Sequence, residues 1–454
     1  MATPYQITGA YAGQGGAFGP VEYGGALFVV ALSALATASS EHSVLSIFKS
    51  TDAGATWTQV GSDITLPSSD DSTGSNIPVG DSEVFHGCVD INFPTSPYGY
   101  VIHADADHKL IVSRVNYNTE DWDDTSAAGP DIQDPSETGN HNSLGWMIEQ
   151  ASDGEFGILA NLNTAGSDTD RVYAMSLSSD LGTWSSRAQV SGQSGGIYYA
   201  ATGIARGTSG RVHGWIEAED SQFDMYHTMV IGGGGGVGSA LELVAEGQRI
   251  FRTNYTGAHD EAGNIAFLFV EPAVGVGTNF KLSAAHAVSA DPPTFTIVDV
   301  DPATSGTNSY WGSIAAGSTL RAAWNASNSF DNILHSSYSG AWSAAAEGVD
   351  GIAPFYIEAR QIAAGLGVTF GQEISAVNTL WYVLITAGGT VQAIVGIEPI
   401  PSGEKLHRTH GVTGGGLETC GTPVPVVADN TCNPVDPDLA VDAPSICVPQ
   451  GYSY

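Results

Sequence analysis

Acidic side chains that lie close together in the chain are the residues best suited to chemistry. Glu217 and Glu219 with Asp220 follow an apolar segment, and Asp105 and Asp107 lie between two histidines. Two carboxyl groups facing one cleft are sufficient for glycoside hydrolysis. Acidic residues at strand ends are, however, far more often solvated turn residues than catalytic pairs. The sequence therefore assigns no catalytic residue.

A metal or cofactor site has equally weak support. His103, Asp105 and Asp107 would share one face of a strand, but they fall where a hairpin is expected, and Asp is a turn former. The acidic segment 120–137 lacks the loop pattern of an EF-hand. The run Gly232–Gly236 precedes no helix and contains no Lys, unlike a phosphate-binding loop. We expect neither a metal nor a cofactor.

The composition is that of an all-β protein. Only 14% of the 454 residues are charged, 57 are glycine, and turn-forming clusters recur throughout the chain. Long helical periodicity is missing, and many short apolar segments alternate with the turn clusters. This texture is typical of repeated short strands.

The charge balance limits the partners. A formal net charge of −34 repels nucleic acids and anionic membranes. The apolar run 26–32 is too short to span a bilayer and has no basic residue before it, so no signal peptide is expected. An extracellular composition without a signal peptide suggests the surface of a virus particle.

A short motif points to a fold. Ser50, Asp52, Gly54, Thr56 and Trp57 form the pattern S-x-D-x-G-x-T-W. Ser and Asp can hydrogen-bond local backbone amides, Gly tolerates positive φ, and Trp can cover neighbouring sheet surface. A shortened copy follows later in the chain, at Ser178, Asp180, Gly182 and Trp184. The motif is the Asp box, and the chain resembles the sialidase-like (BNR) β-propellers in which it fastens a hairpin turn.

The resemblance implies blades, and the sequence contains a matching repeat. Seven units of apolar strands can be marked, the last of them closing with the segment Val391–Ile397. Marker residues recur at intervals suitable for propeller blades plus loops. We therefore predict an all-β propeller of about seven four-stranded antiparallel blades over residues 1–400, with six or eight blades as alternatives. A pair of β-sandwich domains would explain the strands but not the regular markers.

Sialidase chemistry is not expected. The resemblance would imply three arginines that hold the substrate carboxylate, one of them in an F/Y-R-I-P motif. It would also imply a Tyr–Glu nucleophile pair and an Asp that acts as the catalytic acid/base. The first arginine here is Arg114, in the second unit, and the segment Arg249–Phe251 lacks the Pro. The chain thus resembles non-catalytic, virion-associated propellers, and we expect no enzymatic activity.

Two further features suggest contacts. Residues 401–454 form a Pro-rich, irregular extension in which two of Cys420, Cys432 and Cys447 could form a disulfide. We expect this extension either to wrap the propeller or to contact a neighbouring subunit in an oligomeric assembly. Tyr310 and Trp311 are the aromatic pair best suited to bind a glycan or a protein surface.

The functional hypothesis is a non-enzymatic structural or adhesive propeller, on the head or tail of a virus particle. Its partners would be virion proteins or a host-surface glycan or protein. The alternatives are a glycoside hydrolase on the same scaffold and a secreted bacterial adhesion propeller.

Overall fold

A computed structural model of the protein describes the greater part of the strand-forming chain. The described residues are 5–8, 17–34, 43–65, 97–105, 109–130, 146–162, 171–193, 198–207, 211–219, 224–232, 236–237, 242–246, 257–260, 264–272, 280–288, 293–305, 310–315, 317–326, 332–350, 354–374, 377–386, 396–397 and 408–409. The three cysteines of the extension, and the expected first strand of the second unit, lie outside them.

The described chain contains no helix, and therefore none able to cross a membrane. The first strand, β1 (Tyr5–Thr8), belongs to the last blade. Blades 1 to 3 then follow in chain order. Blade 1 contains β2 (Ala17–Tyr23), β3 (Ala26–Ala34), β4 (Ser43–Ser50) and β5 (Thr58–Thr65). Blade 2 contains β6 (Tyr98–Ala104), β7 (Leu110–Asn116) and β8 (Asp121–Thr125). Blade 3 contains β9 (Trp146–Gln150), β10 (Phe156–Leu162), β11 (Arg171–Leu177) and β12 (Ala188–Gln189).

Blades 4 and 5 continue the same meander. Blade 4 contains β13 (Tyr198–Arg206), β14 (Val212–Glu219), β15 (Asp224–Gly232), β16 (Gly236–Val237) and β17 (Glu242–Glu246). Blade 5 contains β18 (Gly257–His259), β19 (Asn264–Pro272), β20 (Phe280–Val288) and β21 (Thr296–Ser305).

Blades 6 and 7 complete the ring, and a separate two-stranded sheet follows. Blade 6 contains β22 (Tyr310–Ala315), β23 (Arg321–Ala326), β24 (Asn332–Ser337) and β25 (Ala346–Asp350). Blade 7 contains β26 (Pro354–Ile362), β27 (Gly365–Ile374) and β28 (Val377–Thr386) together with β1. The separate sheet contains β29 (Gly396–Ile397) and β30 (Arg408–Thr409).

The seven blades confirm the predicted propeller. Strands pair antiparallel within every blade. Around the axis, the first strand β26 neighbours β2, and the first strands β9, β13, β18, β22 and β26 lie side by side in that order. We call these first strands the inner strands. Since all blades run in the same sense, the Asp-box turns lie at the ends where the inner strands finish, and the connections between blades lie at the opposite ends.

Ring closure differs from the sequence prediction. The fourth strand of blade 7 is β1, which pairs antiparallel with β28 through Tyr5 opposite Tyr382. The sequence placed Val391–Ile397 there, but the described residues of that segment, β29, pair with β30 instead. The pattern of apolar residues could not show this pairing, because its two partners are separated by almost the whole chain.

The core consists of apolar layers between blades rather than one central cluster. Alternate side chains of each strand point to opposite faces of its blade, so each blade packs on both neighbours. Trp215 and Trp324 are the largest fully buried side chains and lie in two such layers. The charged fraction is low because both faces of every blade are buried.

The first Asp box connects blade 1 to blade 7. Gly54 N donates to Ser50 Oγ at 2.8 Å, and Thr56 N donates to Asp52 Oδ1 at 2.8 Å. Burial raises the pKa of Asp52, but the hydrogen bonds from Thr56 and Ser50 outweigh it and hold the pKa below its ordinary value. The Trp57 ring then packs edge-on against Tyr382, with centroids 5.4 Å apart.

The tryptophans that mark the blade ends share this geometry. Trp122 Nε1 donates to Ser62 O of blade 1, and Trp184 Nε1 donates to Ala127 O of the blade 2 connection. In the second box, Gly182 N donates to Asp180 and Thr183 N to Ser178. Trp57, Trp122 and Trp184 thus each connect their own blade to the preceding one.

Gly54 is the position at which the contact between the first Asp box and Tyr382 leaves no room for a side chain. Its φ is +94°, and a Cβ there would lie 2.1 Å from Cε1 of Tyr382. We expect Gly54→Ala to destabilise the protein by about 2–5 kcal/mol, about 1–2 from the left-handed backbone and the remainder from overpacking. Urea unfolding measures the difference.

Gly340→Ala is the matched control. Its φ is +87°, but nothing lies within 4 Å of the added Cβ, so only the backbone cost of about 1–2 kcal/mol is expected. Equal losses in the two variants would contradict a close contact between the box and Tyr382.

Candidate functional site

The candidate site is a buried ion pair on the inner strand of blade 7. Glu358 and Arg360 are two residues apart on β26, so both side chains leave the same face of the strand. Arg360 Nη2 lies 2.6 Å from Glu358 Oε1, and the two side chains are 4% and 1% exposed. We call these two residues the Glu358–Arg360 pair.

The packing of blade 7 explains which way the pair points. Ile357 and Ala359, on the other face of β26, belong to the apolar layer shared with blade 6. Ile362 and Tyr382 lie in the layer shared with blade 1, which is the side that the pair faces. Charged residues at alternate positions thus replace apolar ones on the blade 1 side.

Blade 1 approaches closely at this level. Thr369 lies opposite Glu358 on β27, and its hydroxyl donates to Gly19 O of β2 at 3.3 Å. A Cβ on Gly367 would lie 2.5 Å from Cγ of Pro20. The pair is therefore held where the first and last blades meet, next to the ring axis.

Burial controls the chemistry of Glu358. It raises the pKa of this carboxyl to about 7, because desolvation outweighs the opposing effect of Arg360. A carboxyl group with a pKa near 7 can both donate and accept a proton at neutral pH, as general acid–base catalysis requires. Perturbed groups of this kind are concentrated at functional sites.

The carboxylates singled out in the sequence are not brought together as a described catalytic pair. Glu217 lies in β14, only 3% exposed, Glu219 ends that strand, and Asp220 lies outside the described residues. Asp105 Oδ1 accepts a hydrogen bond from Lys109 N at 2.8 Å, which is the turn role expected of it. Asp107 also lies outside the described residues.

The histidine proposed as a metal ligand has a different partner. His103 Nε2 lies 2.8 Å from Ser113 Oγ, and the imidazole is buried. Within the described ranges, no three His, Cys, Asp or Glu side chains are grouped as metal ligands would be. Tyr310 and Trp311 begin β22, the inner strand of blade 6.

The sequence contained a signal for the Glu358–Arg360 pair that composition and motif analysis missed. The segment 354–362 is an apolar strand with two opposite charges at alternate positions. Charges on a strand face that would otherwise be apolar require either a partner or a function. That inference needs the strand to be central, which only the ring arrangement reveals.

Comparison with known proteins supports the fold alone. No protein-family model matches the chain, and no curated protein matches it in sequence. A polysaccharide lyase of family PL25, an ulvan lyase, aligns with a TM-score of 0.48 at 10% identity, over 85% of this chain and 94% of the other. At this level of identity and similarity the match describes a shared propeller architecture.

Two arabinan-processing proteins align in the same way. A GH93 α-L-arabinofuranosidase of Fusarium graminearum in complex with arabinobiose gives a TM-score of 0.45 at 11% identity, over 85% of this chain and 98% of the other. An α-L-arabinanase of Penicillium chrysogenum in complex with arabinobiose gives 0.44 at 10% identity, over 84% and 96%.

These matches contradict two expectations drawn from the sequence, that the protein is a non-enzymatic part of a virus particle and that it is not an enzyme. The aligned proteins are carbohydrate-processing enzymes, which is a property of those proteins. The expectations failed for a physical reason. An Asp box fastens a turn, and a missing arginine clamp excludes only sialidase chemistry, so neither describes the side chains at the axis. The extracellular location and the assembly role of the extension stay predictions.

Glu358 should leave a signature in the pH dependence of stability. Its folded pKa of about 7 exceeds the ordinary value of 4.5. The contribution of Glu358 to the free energy of unfolding is therefore complete below about pH 4.5 and is lost as pH rises through about 7. We expect Glu358→Gln, which cannot titrate, to lack this loss. Urea unfolding at several pH values between about 4.5 and 7.5 measures it.

Glu22→Gln, on the inner strand of blade 1, is the control for that experiment. Its carboxylate accepts a hydrogen bond from Ala363 N at 2.6 Å, and an amide oxygen can do the same. A pH profile of Glu358→Gln that parallels the wild type would contradict the raised pKa.

Proposed function

We propose that this protein is a glycan-processing enzyme in which Glu358 transfers the proton. The observation that carries the proposal is a carboxyl group on an inner strand, 1% exposed, with a pKa raised to about 7 by burial. Cleavage of a glycosidic bond requires protonation of the leaving oxygen in hydrolysis or removal of a proton in elimination. Glu358 is suited to either step.

Arg360 gives the site a fixed positive charge. Its guanidinium holds the carboxyl group in place through the 2.6 Å contact, and it stabilises negative charge that forms on Glu358 when the proton leaves. A guanidinium remains protonated under all working conditions. The pair can therefore cycle between a neutral and an ionised carboxyl without rearrangement of the strand.

The overall charge favours a neutral glycan as substrate. A net charge of −34 repels polymers of uronic acids at long range. Salt at about 0.1 M screens that repulsion beyond about 10 Å. Cleavage of a neutral glycan should therefore be nearly independent of salt, whereas cleavage of a uronate polymer should accelerate as salt is added.

The test is a screen of the purified protein against neutral arabinans and against uronate-containing polysaccharides. Release of reducing ends reports any cleavage, and ultraviolet absorbance of an unsaturated uronate reports elimination only. On whichever glycan is cleaved, we expect Glu358→Gln to reduce kcat about 100- to 10,000-fold, the usual contribution of a general acid or base.

Glu22→Gln serves again as the matched variant and should retain activity. Thermal unfolding of both variants shows whether a loss of activity reflects loss of the fold. Full activity of a folded Glu358→Gln variant would contradict the role of Glu358, and a protein that cleaves none of these glycans would contradict the proposed function.

A further inference from the structure

A second buried polar pair lies in the layer between blades 4 and 5. His213 of β14 and His227 of β15 face each other with His213 Nδ1 3.1 Å from His227 Nε2. Their exposures are 0% and 3%, and the ring centroids are 5.3 Å apart. One ring must donate and the other accept, which two neutral imidazoles can do and two imidazolium ions cannot.

The surroundings make this pair sensitive to protons. Phe295 of blade 5 lies 5.1 Å from the His227 ring, and Trp215, next to His213 on the same face of β14, stacks on Phe267 at 5.2 Å. His213 Nε2 has no hydrogen-bond partner among the described residues. A charge on the His213 ring would therefore be placed in an apolar layer with little compensation.

One route connects the pair to solvent. The outer strand β17 carries Glu242, 53% exposed, whose Oε2 lies 3.7 Å from His227 Nδ1. Leu243, beside it, is 57% exposed. β17 is thus a solvent-exposed strand in direct contact with the His227 imidazole.

We propose that the His213–His227 pair is an acid-sensitive lock. Both imidazoles lie on blade 4 and fit against blade 5 only when neutral, so their protonation releases the layer between the two blades. The lock is independent of Glu358, which lies in blade 7, and of the proposed enzymatic activity. Its consequence is local opening at β14, β15 and β17 in acid, before the remaining blades unfold.

Electrostatics support the direction of the switch. Burial lowers the pKa of His213 to about 4, with a smaller contribution from Arg211, and burial and then His213 lower the pKa of His227 to about 3. Both values lie below the ordinary 6.5. The opened layer thus binds more protons than the closed one, and opening becomes more favourable as pH falls below about 6.5.

Other charged groups face this layer, but none matches the position of the pair. Those on blade 4 are Arg206, Arg211, Glu217 and Glu242, and those on the facing side of blade 5 are His259, Glu271, Lys281 and Asp299. Lys281 is bound to Glu271 and Asp299 at 3.4 and 2.6 Å. His259 also has a pKa lowered to about 4, by burial and by Arg206. It therefore adds to the acid sensitivity of the layer at the edge nearest the ring axis.

The experiment is hydrogen exchange of the intact protein, followed by mass spectrometry at pH values between about 4.5 and 7. After correction for the intrinsic exchange rate, uptake of two protons should increase the opening of β14, β15 and β17 by up to about 100-fold per pH unit. In His227→Gln the increase should fall to about tenfold, and in the double variant with His213→Gln only the response that comes from His259 should remain.

His286→Gln is the matched control. That imidazole also has a pKa lowered by burial, but it lies on the blade 6 side of blade 5, 4.4 Å from the Tyr338 ring. It should leave the response of blade 4 unchanged. An NMR titration of the wild-type imidazoles provides a second measurement that does not depend on the folding of any variant.

Three results would overturn the proposal. The first is an acid response spread equally over all blades, and the second is an undiminished response in the double variant. The third is a rise in the Tm of the wild type, absent in the double variant, when zinc is added at about pH 7. That result would show that the facing nitrogens bind a metal ion rather than each other.

Discussion

Closure of the ring is the constraint on which the rest of the structure depends. A blade buries both of its faces only if it has a neighbour on each side, so an open array would leave two apolar faces in water. Pairing of β1 with β28 joins the first and the last blades' segments of the chain in one sheet, Tyr5 lying opposite Tyr382. Tyr382 of that sheet then receives Trp57 of the first Asp box, so strand pairing and side-chain packing close the same boundary.

This boundary is also where the candidate site lies. The Glu358–Arg360 pair faces blade 1 from the inner strand of blade 7, at the level where Thr369 binds Gly19 O. A buried ion pair is a poor source of stability, because desolvation offsets much of the Coulomb attraction. Its presence in an otherwise apolar layer is therefore the basis of the proposed function, for which a carboxyl pKa near 7 is suitable.

The two buried polar pairs show how one architecture produces opposite effects. Burial raises the pKa of the Glu358 carboxyl and lowers the pKa of the His213 and His227 imidazoles, in each case because the charged form is disfavoured. At neutral pH, Glu358 can exchange a proton while the imidazoles are neutral. The layer between blades 7 and 1 is thus suited to chemistry, and the layer between blades 4 and 5 to sensing acid.

The sequence by itself determined the local features. Alternating apolar residues, glycine-rich turns and the Ser50–Trp57 box act over a few residues, so they predicted an all-β propeller of seven blades. Only the tertiary structure decided which strand closes the ring, since Tyr5 and Tyr382 pair although they lie far apart in the chain. It also decided the proton chemistry of Glu358, His213 and His227. Their pKa values depend on burial between blades, and burial arises from residues that are distant in the chain.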